Sequence, residues 1–144
     1  MSTDSFDTAI PSDRLSTLLE LAQEFHFDPL SSLEMEAFFV AQLAQYDART
    51  GNFRHWITPI LRRSFRYASY PPRWIQNPQW AVGKNGPMLF LGQVDCKPIE
   101  GVFHDLASVY VFFDPSSGEQ KTVWTYPRIV GAWLRLCGLL GLER

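Results

Sequence analysis

Hydrophobic residues in the first 50 positions recur every three or four residues, the period of an amphipathic helix. In the first stretch the apolar positions are Leu15, Leu18, Leu19, Ala22 and Phe25. Residues 11–13, Pro-Ser-Asp, are typical of a helix start, and Pro29 ends the pattern. The spacing predicts a first helix between these points, preceded by a flexible tail over residues 1–10.

A second helix is predicted from Ser31, because Ser31-Ser-Leu-Glu34 has the form of a capping box. Its apolar stripe consists of Met35, Phe38, Phe39, Ala41, Leu43 and Tyr46. Gly51 marks its end. From residue 53 to 86 the period is lost and aromatic residues and prolines dominate, so we expect a short helix near residues 58–67 and then an extended loop.

Three later segments have the composition of β-strands. Residues 88–94 are almost continuously apolar, which predicts a central strand covered on both faces. Residues 108–113 and 120–126 flank the turn-forming residues 114–118 and predict a hairpin. Residues 102–104 are a further short strand candidate.

The segment 127–142 is apolar almost all round and predicts a helix of about 14 residues, too short to cross a bilayer. It is expected to pack on the sheet, or alternatively to join two copies of the chain. The fold class predicted is α+β in one domain, 1–144, with two N-terminal helices, a small and mostly antiparallel sheet, and an apolar C-terminal helix packed on it.

Composition agrees with a globular domain, since 46% of the residues are hydrophobic and 19% are charged. The sequence starts without the pattern of a signal peptide, and its two cysteines, Cys96 and Cys137, are too few for a disulfide framework or a paired zinc site. We therefore expect a cytoplasmic protein that does not enter a membrane.

Charge is distributed unevenly along the chain. Residues 1–47 contain nine acids and one base, Arg14, whereas residues 48–94 contain seven bases and no acid. The two segments either neutralise one another in the fold or present a surface of one sign to a charged partner.

The familiar sequence motifs of phosphate binding, nucleophilic catalysis and zinc binding are absent. Asp95, His104 and Asp105 are the residues on which a small hydrolase could depend. The basic and aromatic segment 49–84 could instead bind nucleic acid, although an isoelectric point near 5.9 argues against this. The sequence indicates a binding module that is not an enzyme and needs no cofactor or metal.

Three stretches resemble the YwqG-like family of bacterial proteins of unknown function. They are Pro-Arg-Trp-Ile-Gln-Asn-Pro-Gln-Trp from residue 72, Gly-Pro-Met-Leu-Phe-Leu-Gly-Gln-Val-Asp from residue 86, and Val-Tyr-Val-Phe-Phe-Asp from residue 109. The similarity covers about residues 73–125, and Gly92-Gln-Val-Asp95 is its most specific part.

This resemblance implies an immunity protein, a small cytosolic inhibitor that binds and occludes a bacterial toxin. It predicts one protein partner, the cognate toxin, and a chain that is a monomer or a homodimer. Acids would lie at the rim of such an interface and aromatic residues at its centre. The predicted partner-binding residues are Glu20, Glu24, Asp28, Glu34, Tyr70, Arg73, Trp74 and Trp80.

Overall fold

The computed structural model describes residues 8–96 and 107–125. In that part of the chain the fold is α+β, with three α-helices and two small antiparallel sheets. The predicted strand at residues 102–104 and the predicted C-terminal helix lie outside the described residues.

The first two helices form where their apolar periods predict, but their ends differ. Helix α1 spans Ser12–Phe25 and stops four residues before Pro29, because His26 takes the left-handed conformation and the amide of Phe27 returns to the carbonyl of Ala22. Helix α2 spans Leu33–Leu43, well short of Gly51.

The capping box predicted at Ser31 is wrong by one residue. Ser32 is the N-cap of α2, and its hydroxyl accepts a hydrogen bond from the amide of Met35. Glu36 then accepts from the hydroxyl of Thr8 and the amide of Ala9. Because Ile10 is also buried, residues 8–10 pack against the helices and do not belong to a flexible tail.

The third helix begins earlier than predicted. Helix α3 spans Phe53–Ser64, with the side chain of Asn52 as its N-cap, and a short 3-10 helix at Ala48–Thr50 precedes it. Pro59 lies inside α3. The aromatic residues and prolines of this segment obscure the period of an amphipathic helix in the sequence. The buried residues of this helix are Phe53, Ile57, Ile60 and Leu61.

The strands form one hairpin and one three-stranded sheet. Strands β1 (Val82–Gly83) and β2 (Gly86–Pro87) make the hairpin. Strands β3 (Leu89–Cys96), β4 (Ala107–Phe113) and β5 (Gln120–Thr125) pair in that order, which confirms the predicted hairpin of the last two strands. The prediction that residues 88–94 form the central strand is wrong, because β4 lies between β3 and β5 in the described part of the chain. A bulge between Phe90 and Gly92 shifts the register of β3.

The core lies between the helices and the inner face of the sheet and is rich in aromatic residues. Phe27, Phe39 and Phe65 stack on the helical side. Trp80 contacts Phe65 edge-on at 5.2 Å between ring centroids and Phe112 of β4 at 5.5 Å. The indole N–H of Trp80 donates to the carbonyl of Met88. Aromatic packing therefore joins the helical layer to the sheet.

We expect the substitution Phe65→Ala to lower the free energy of unfolding by about 3–5 kcal/mol, because it opens a cavity at the contact between the two layers. Urea denaturation measures the change. The control is Leu33→Ala, which alters a side chain that is 81% exposed. Equal effects of the two substitutions would contradict the assignment of Phe65 to the core.

Candidate functional site

The inner face of the sheet changes from apolar to polar along its length. At one end Phe90 and Phe112 lie opposite each other, and beyond the bulge Gln93 pairs with Tyr110 and Asp95 with Ser108. Ser108, Tyr110 and Phe112 are all buried. Four polar groups, those of Gln93, Asp95, Ser108 and Tyr110, thus share a face with the core and require hydrogen-bond partners.

The polar end of the sheet holds the loop of residues 70–75, which we call the Tyr70 loop. The Gln93 side chain accepts from the amide of Arg73 at 2.8 Å and donates to the carbonyl of the same residue at 3.0 Å. The Tyr110 hydroxyl donates to the Arg73 carbonyl at 3.1 Å and accepts from the amide of Ile75 at 3.2 Å. The loop backbone is therefore fixed by two side chains of the sheet.

Asp95 supports this arrangement from the next position of β3. Its Oδ1 accepts from the hydroxyl of Ser108 at 2.5 Å and from the Gln93 amide nitrogen at 2.9 Å, and its Oδ2 lies 3.5 Å from the Arg73 guanidinium. The hydrogen bond from Ser108, followed by that from Gln93, lowers the pKa of the Asp95 carboxyl below its ordinary value. A carboxylate held in this way is a poor proton donor and is already engaged by its neighbours.

The side chains at the tip of the Tyr70 loop face solvent. Tyr70 is 40% exposed, and its hydroxyl accepts from the amide of Gln93 at 3.3 Å. The Arg73 guanidinium carbon lies 5.9 Å from the centroid of the Tyr70 ring. Two more exposed side chains, those of Tyr67 and the bulge residue Leu91, lie in the neighbouring segments. A β-bridge between Tyr67 and Phe90 joins these two segments. We call Tyr70 and Arg73 the Tyr70–Arg73 surface.

The two tryptophans predicted as partner anchors, Trp74 and Trp80, pack within the fold itself. Trp80 is 2% exposed and lies in the core, so it is not available to a partner. Trp74 is half-buried, donates its indole N–H to the carbonyl of His26 and packs at 4.3 Å on the ring of Tyr110. Trp74 thereby attaches the Tyr70 loop to the end of α1.

Of the four predicted acids, one forms an ion pair and three line separate clefts, and the cleft of Asp28 is also lined by Trp74 of the Tyr70 loop. Glu20 forms an ion pair with Arg54 of α3. Glu24 lines a cleft of 420 Å³ with Arg62 and Arg66. The remaining two, Asp28 and Glu34, line two other clefts of 380 Å³ and 370 Å³.

Neutralisation between the acidic and basic segments is partial. Besides the local pair of Asp47 with Arg49, the described residues contain one ion pair that joins the two segments, Glu20 with Arg54. Arg62, Arg63 and Arg66 are exposed and have no carboxylate within 4 Å in the described part of the chain. The end of α3 and the residues just after it consequently keep a basic surface.

Sequence reasoning missed the roles of Gln93, Ser108 and Tyr110. The signal available was the polar residue Gln93 inside an otherwise apolar strand. Its meaning depends on the bulge, which determines the face on which Gln93 lies.

Residues 8–96 and 107–125 contain no group of three or more His, Cys, Asp or Glu side chains able to hold a metal ion. No helix in these ranges is long and apolar enough to cross a bilayer. His104 and Asp105 lie outside the described residues, so the predicted hydrolase site stays a prediction.

Comparison with known proteins gives no match to any family model, curated protein or solved structure. The resemblance to the YwqG-like family stays a prediction.

We expect Asp95→Asn to lower the free energy of unfolding by about 1 kcal/mol at pH 7, because it weakens hydrogen bonds to a charged carboxylate. The loss stays small because solvent screens the exposed side of this network. A carboxyl whose pKa is lowered in the folded state contributes stability above its ordinary pKa of 3.8 and loses that contribution as the pH falls through the folded value. Urea denaturation at pH 7 and pH 3 should therefore show a smaller difference between the two chains at pH 3.

The substitution Ser108→Ala is the companion test, since it removes the hydrogen bond that lowers the pKa of Asp95 most. An NMR titration should find the Asp95 pKa raised in this variant. An unchanged Asp95 pKa, or an effect of Asp95→Asn that is equal at both pH values, would contradict the assigned network.

Proposed function

We propose that this chain is a non-catalytic protein-binding module of the cytoplasm, and that it acts as an immunity protein. In this role it binds one bacterial toxin and occludes the toxin's active surface. The observation that carries the proposal is the exposed Tyr70–Arg73 surface, whose backbone is fixed by hydrogen bonds to Gln93 and Tyr110.

The residue types on this surface support the proposal. Tyrosine and arginine are enriched among the residues that contribute most to binding at protein interfaces. Both are exposed here, and the Arg73 guanidinium lies against the Tyr70 ring. A partner can therefore meet an aromatic ring and a cation that are already placed together.

The rigidity of the loop supports it as well. Ordering a flexible loop on binding costs free energy, and a loop held before binding avoids much of that cost. Gln93 forms two hydrogen bonds with the backbone of Arg73, and Tyr110 adds a third. Such an arrangement favours tight binding through a small set of side chains.

The outer face of the sheet is a second apolar surface, and what covers it decides which surfaces a partner can bind. Six apolar side chains point away from the core by their register and burial: Leu89, Val94, Val109, Val111, Phe113 and Trp124. Val94 is 59% exposed in the described part of the chain. We propose that the apolar segment 127–142, which follows β5 closely in the chain, forms a helix that covers this face.

The lengths of the two parts agree with this proposal. The predicted helix of about 14 residues would be about 21 Å long, and strands of six to eight residues extend about 20–26 Å. Covering the outer face with the chain's own residues would leave the Tyr70–Arg73 surface for the partner.

A nucleic-acid role is the second candidate, favoured by the exposed Arg62, Arg63 and Arg66 of α3 and the residues after it. Affinity that decreases steeply with salt would distinguish this role from protein binding.

For the toxin partner, we expect Tyr70→Ala and Arg73→Ala each to weaken binding by about 2 kcal/mol or more, roughly 30-fold in Kd. The partner is captured from lysate on the tagged full chain and titrated by calorimetry. Co-expression with the captured partner then tests whether the chain restores cell growth. The exposed substitutions Arg49→Ala and Leu33→Ala are the matched controls and should bind normally.

A captured partner that is harmless to cells would contradict the immunity role, although binding would stand. Normal affinity of both loop variants would remove the Tyr70–Arg73 surface from the interface. Capture that nuclease abolishes, and that charge reversal at Arg62, Arg63 and Arg66 abolishes too, would favour the nucleic-acid role.

For the C-terminal segment, we expect a nitroxide label on residue 135 to broaden the methyl signals of Val94, Val109 and Val111 in NMR spectra. The labelled chain carries Arg135→Cys with both native cysteines replaced by serine. Methyl signals of Leu18, Ile57 and Leu61 lie in the core of the helical side and should stay sharp.

A label on Arg49→Cys in the same cysteine-free background is the control, since Arg49 lies in the short 3-10 helix on the helical side. Broadening of the helical-side signals by the label on residue 135 would contradict coverage of the outer face.

A further inference from the structure

The hairpin of β1 and β2 contains a chemically reactive dipeptide, Asn85-Gly86, at its turn. An asparagine followed by glycine loses its side-chain amide more readily than other asparagines, because glycine has no side chain to hinder its own backbone nitrogen. The other asparagines of the chain, Asn52 and Asn77, precede a phenylalanine and a proline. The phenylalanine side chain hinders the reaction, and the proline nitrogen carries no hydrogen and cannot take part.

Deamidation joins the side chain of Asn85 to the next backbone nitrogen. The Gly86 nitrogen attacks the side-chain carbonyl carbon of Asn85, and a five-membered succinimide ring forms. The proton of the Gly86 nitrogen passes to the side-chain nitrogen of Asn85, which leaves as ammonia. Water then adds to either ring carbonyl, and the ring opens to aspartate or to isoaspartate. Water is the only co-reactant, and it reaches Asn85 because this residue is exposed.

The folded chain holds the Asn85 side chain in its amide form. The amide nitrogen donates to Oδ2 of Asp114 at 2.8 Å and to the hydroxyl oxygen of Ser116 at 2.9 Å. We call these two hydrogen bonds the Asn85 clamp. Asp114 is only 6% exposed, so one of the two acceptors is fixed inside the fold. The reaction requires this nitrogen to gain a proton and leave, whereas both acceptors stabilise it as an amide donor.

The backbone around the reactive dipeptide is held as well. Gly83 pairs with Gly86 across the hairpin, and Gly86 has a φ of +100°, which L side chains rarely adopt. A Cβ on Gly83 would lie 2.9 Å from Oε1 of Glu119, so the hairpin packs closely on the turn between β4 and β5. The Gly86 nitrogen therefore has little freedom to approach the side chain of Asn85.

Deamidation would replace the clamp by a repulsion. Aspartate at position 85 has no side-chain hydrogen to donate, and its carboxylate would face the carboxylate of Asp114. The hydrogen bond from Asn85, followed by that from Ser116, lowers the pKa of the Asp114 carboxyl below its ordinary value, so Asp114 is ionised in the unaltered chain. The hydrogen bond from Lys121 to the carbonyl of Val82 would still join the hairpin to the sheet.

We propose that Asn85 is a deamidation site that the Asn85 clamp protects in the folded chain, and that its reaction separates the β1–β2 turn from the β4–β5 turn. Opening of these turns exposes the site, and the reacted chain can no longer restore the native contact. The modification is thus a permanent mark of a chain that has opened. This site goes beyond the proposed function and uses none of the residues of the Tyr70–Arg73 surface.

Peptide mapping by mass spectrometry tests the protection. The full chain is incubated at mildly alkaline pH with and without urea, and the mass gain from the exchange of ammonia for water is followed at each asparagine. We expect Asn85 to react in urea before Asn52 and Asn77, and about ten times more slowly, or less, in the folded chain. Equal rates at Asn85 with and without urea, or no reaction at Asn85 in urea, would overturn the proposal.

Two serine variants separate the clamp from the stability of the turn. Ser116→Ala removes one acceptor of the Asn85 amide and should raise the deamidation rate of the folded chain about fivefold. Ser117→Ala is the matched control, because the Ser117 hydroxyl donates to the same Asp114 carboxylate at 3.0 Å and forms no hydrogen bond with Asn85 among the described residues. Equal acceleration by both variants would show general loosening of the turn and would contradict protection by the clamp.

A double-mutant cycle tests the effect of the reaction on the fold. Asn85→Asp reproduces the aspartate product and should lower the urea concentration at the midpoint of unfolding. Adding Asp114→Asn puts one amide and one carboxylate back in exchanged positions, so the double variant should lose less than the two single variants together. An unaltered midpoint for Asn85→Asp, or strictly additive losses, would overturn the separation of the two turns.

Discussion

The fold depends on the position of one indole ring between two layers. Trp80 is buried where the stacked phenylalanines of the helices meet Phe90 and Phe112 of the sheet, and it satisfies its only donor through the carbonyl of Met88. Among residues 8–96 and 107–125, no other aromatic ring contacts both the helical phenylalanines and the sheet. With Trp80 in place, the segment 70–80 must cross the inner face of the sheet, and the Tyr70 loop lies over its polar end.

This dependence explains why a polar network occurs next to an aromatic core. The rings fill the inner face only as far as Tyr110, and the loop backbone covers the rest. The backbone of that loop needs hydrogen-bond partners, and Gln93, Tyr110 and Asp95 provide or support them. The same network leaves Tyr70 and Arg73 on the solvent side. The core and the proposed binding surface are thus two sides of one loop.

Much of the architecture could be predicted from the sequence, because helices α1 and α2 and the β4–β5 hairpin have clear periods or turn residues. Helix α3 was predicted five residues late, since Trp56 and Pro59 obscured its apolar face and the N-cap Asn52 carried the better signal. The sequence could not decide between Ser31 and Ser32 as the N-cap. Ser31 precedes Glu34 by three residues, and Ser32 precedes Glu36 by four. Glu36 bonds to residues 8 and 9 instead, a contact that depends on tertiary structure.

For the candidate site, residue type alone predicts Tyr70 and Arg73, and both are exposed. Trp80 was chosen by the same reasoning and is buried, because residue type cannot distinguish an anchor for a partner from an anchor for the core. The bulge at Leu91 shows how local the deciding feature can be. One extra residue in β3 turns Gln93 and Asp95 inward and Val94 outward. A deletion at this point would exchange the two faces of the strand beyond it, exposing the network to water and turning a valine toward the Tyr70 loop. The length of this short stretch, more than its composition, therefore decides which side chains of β3 face the core.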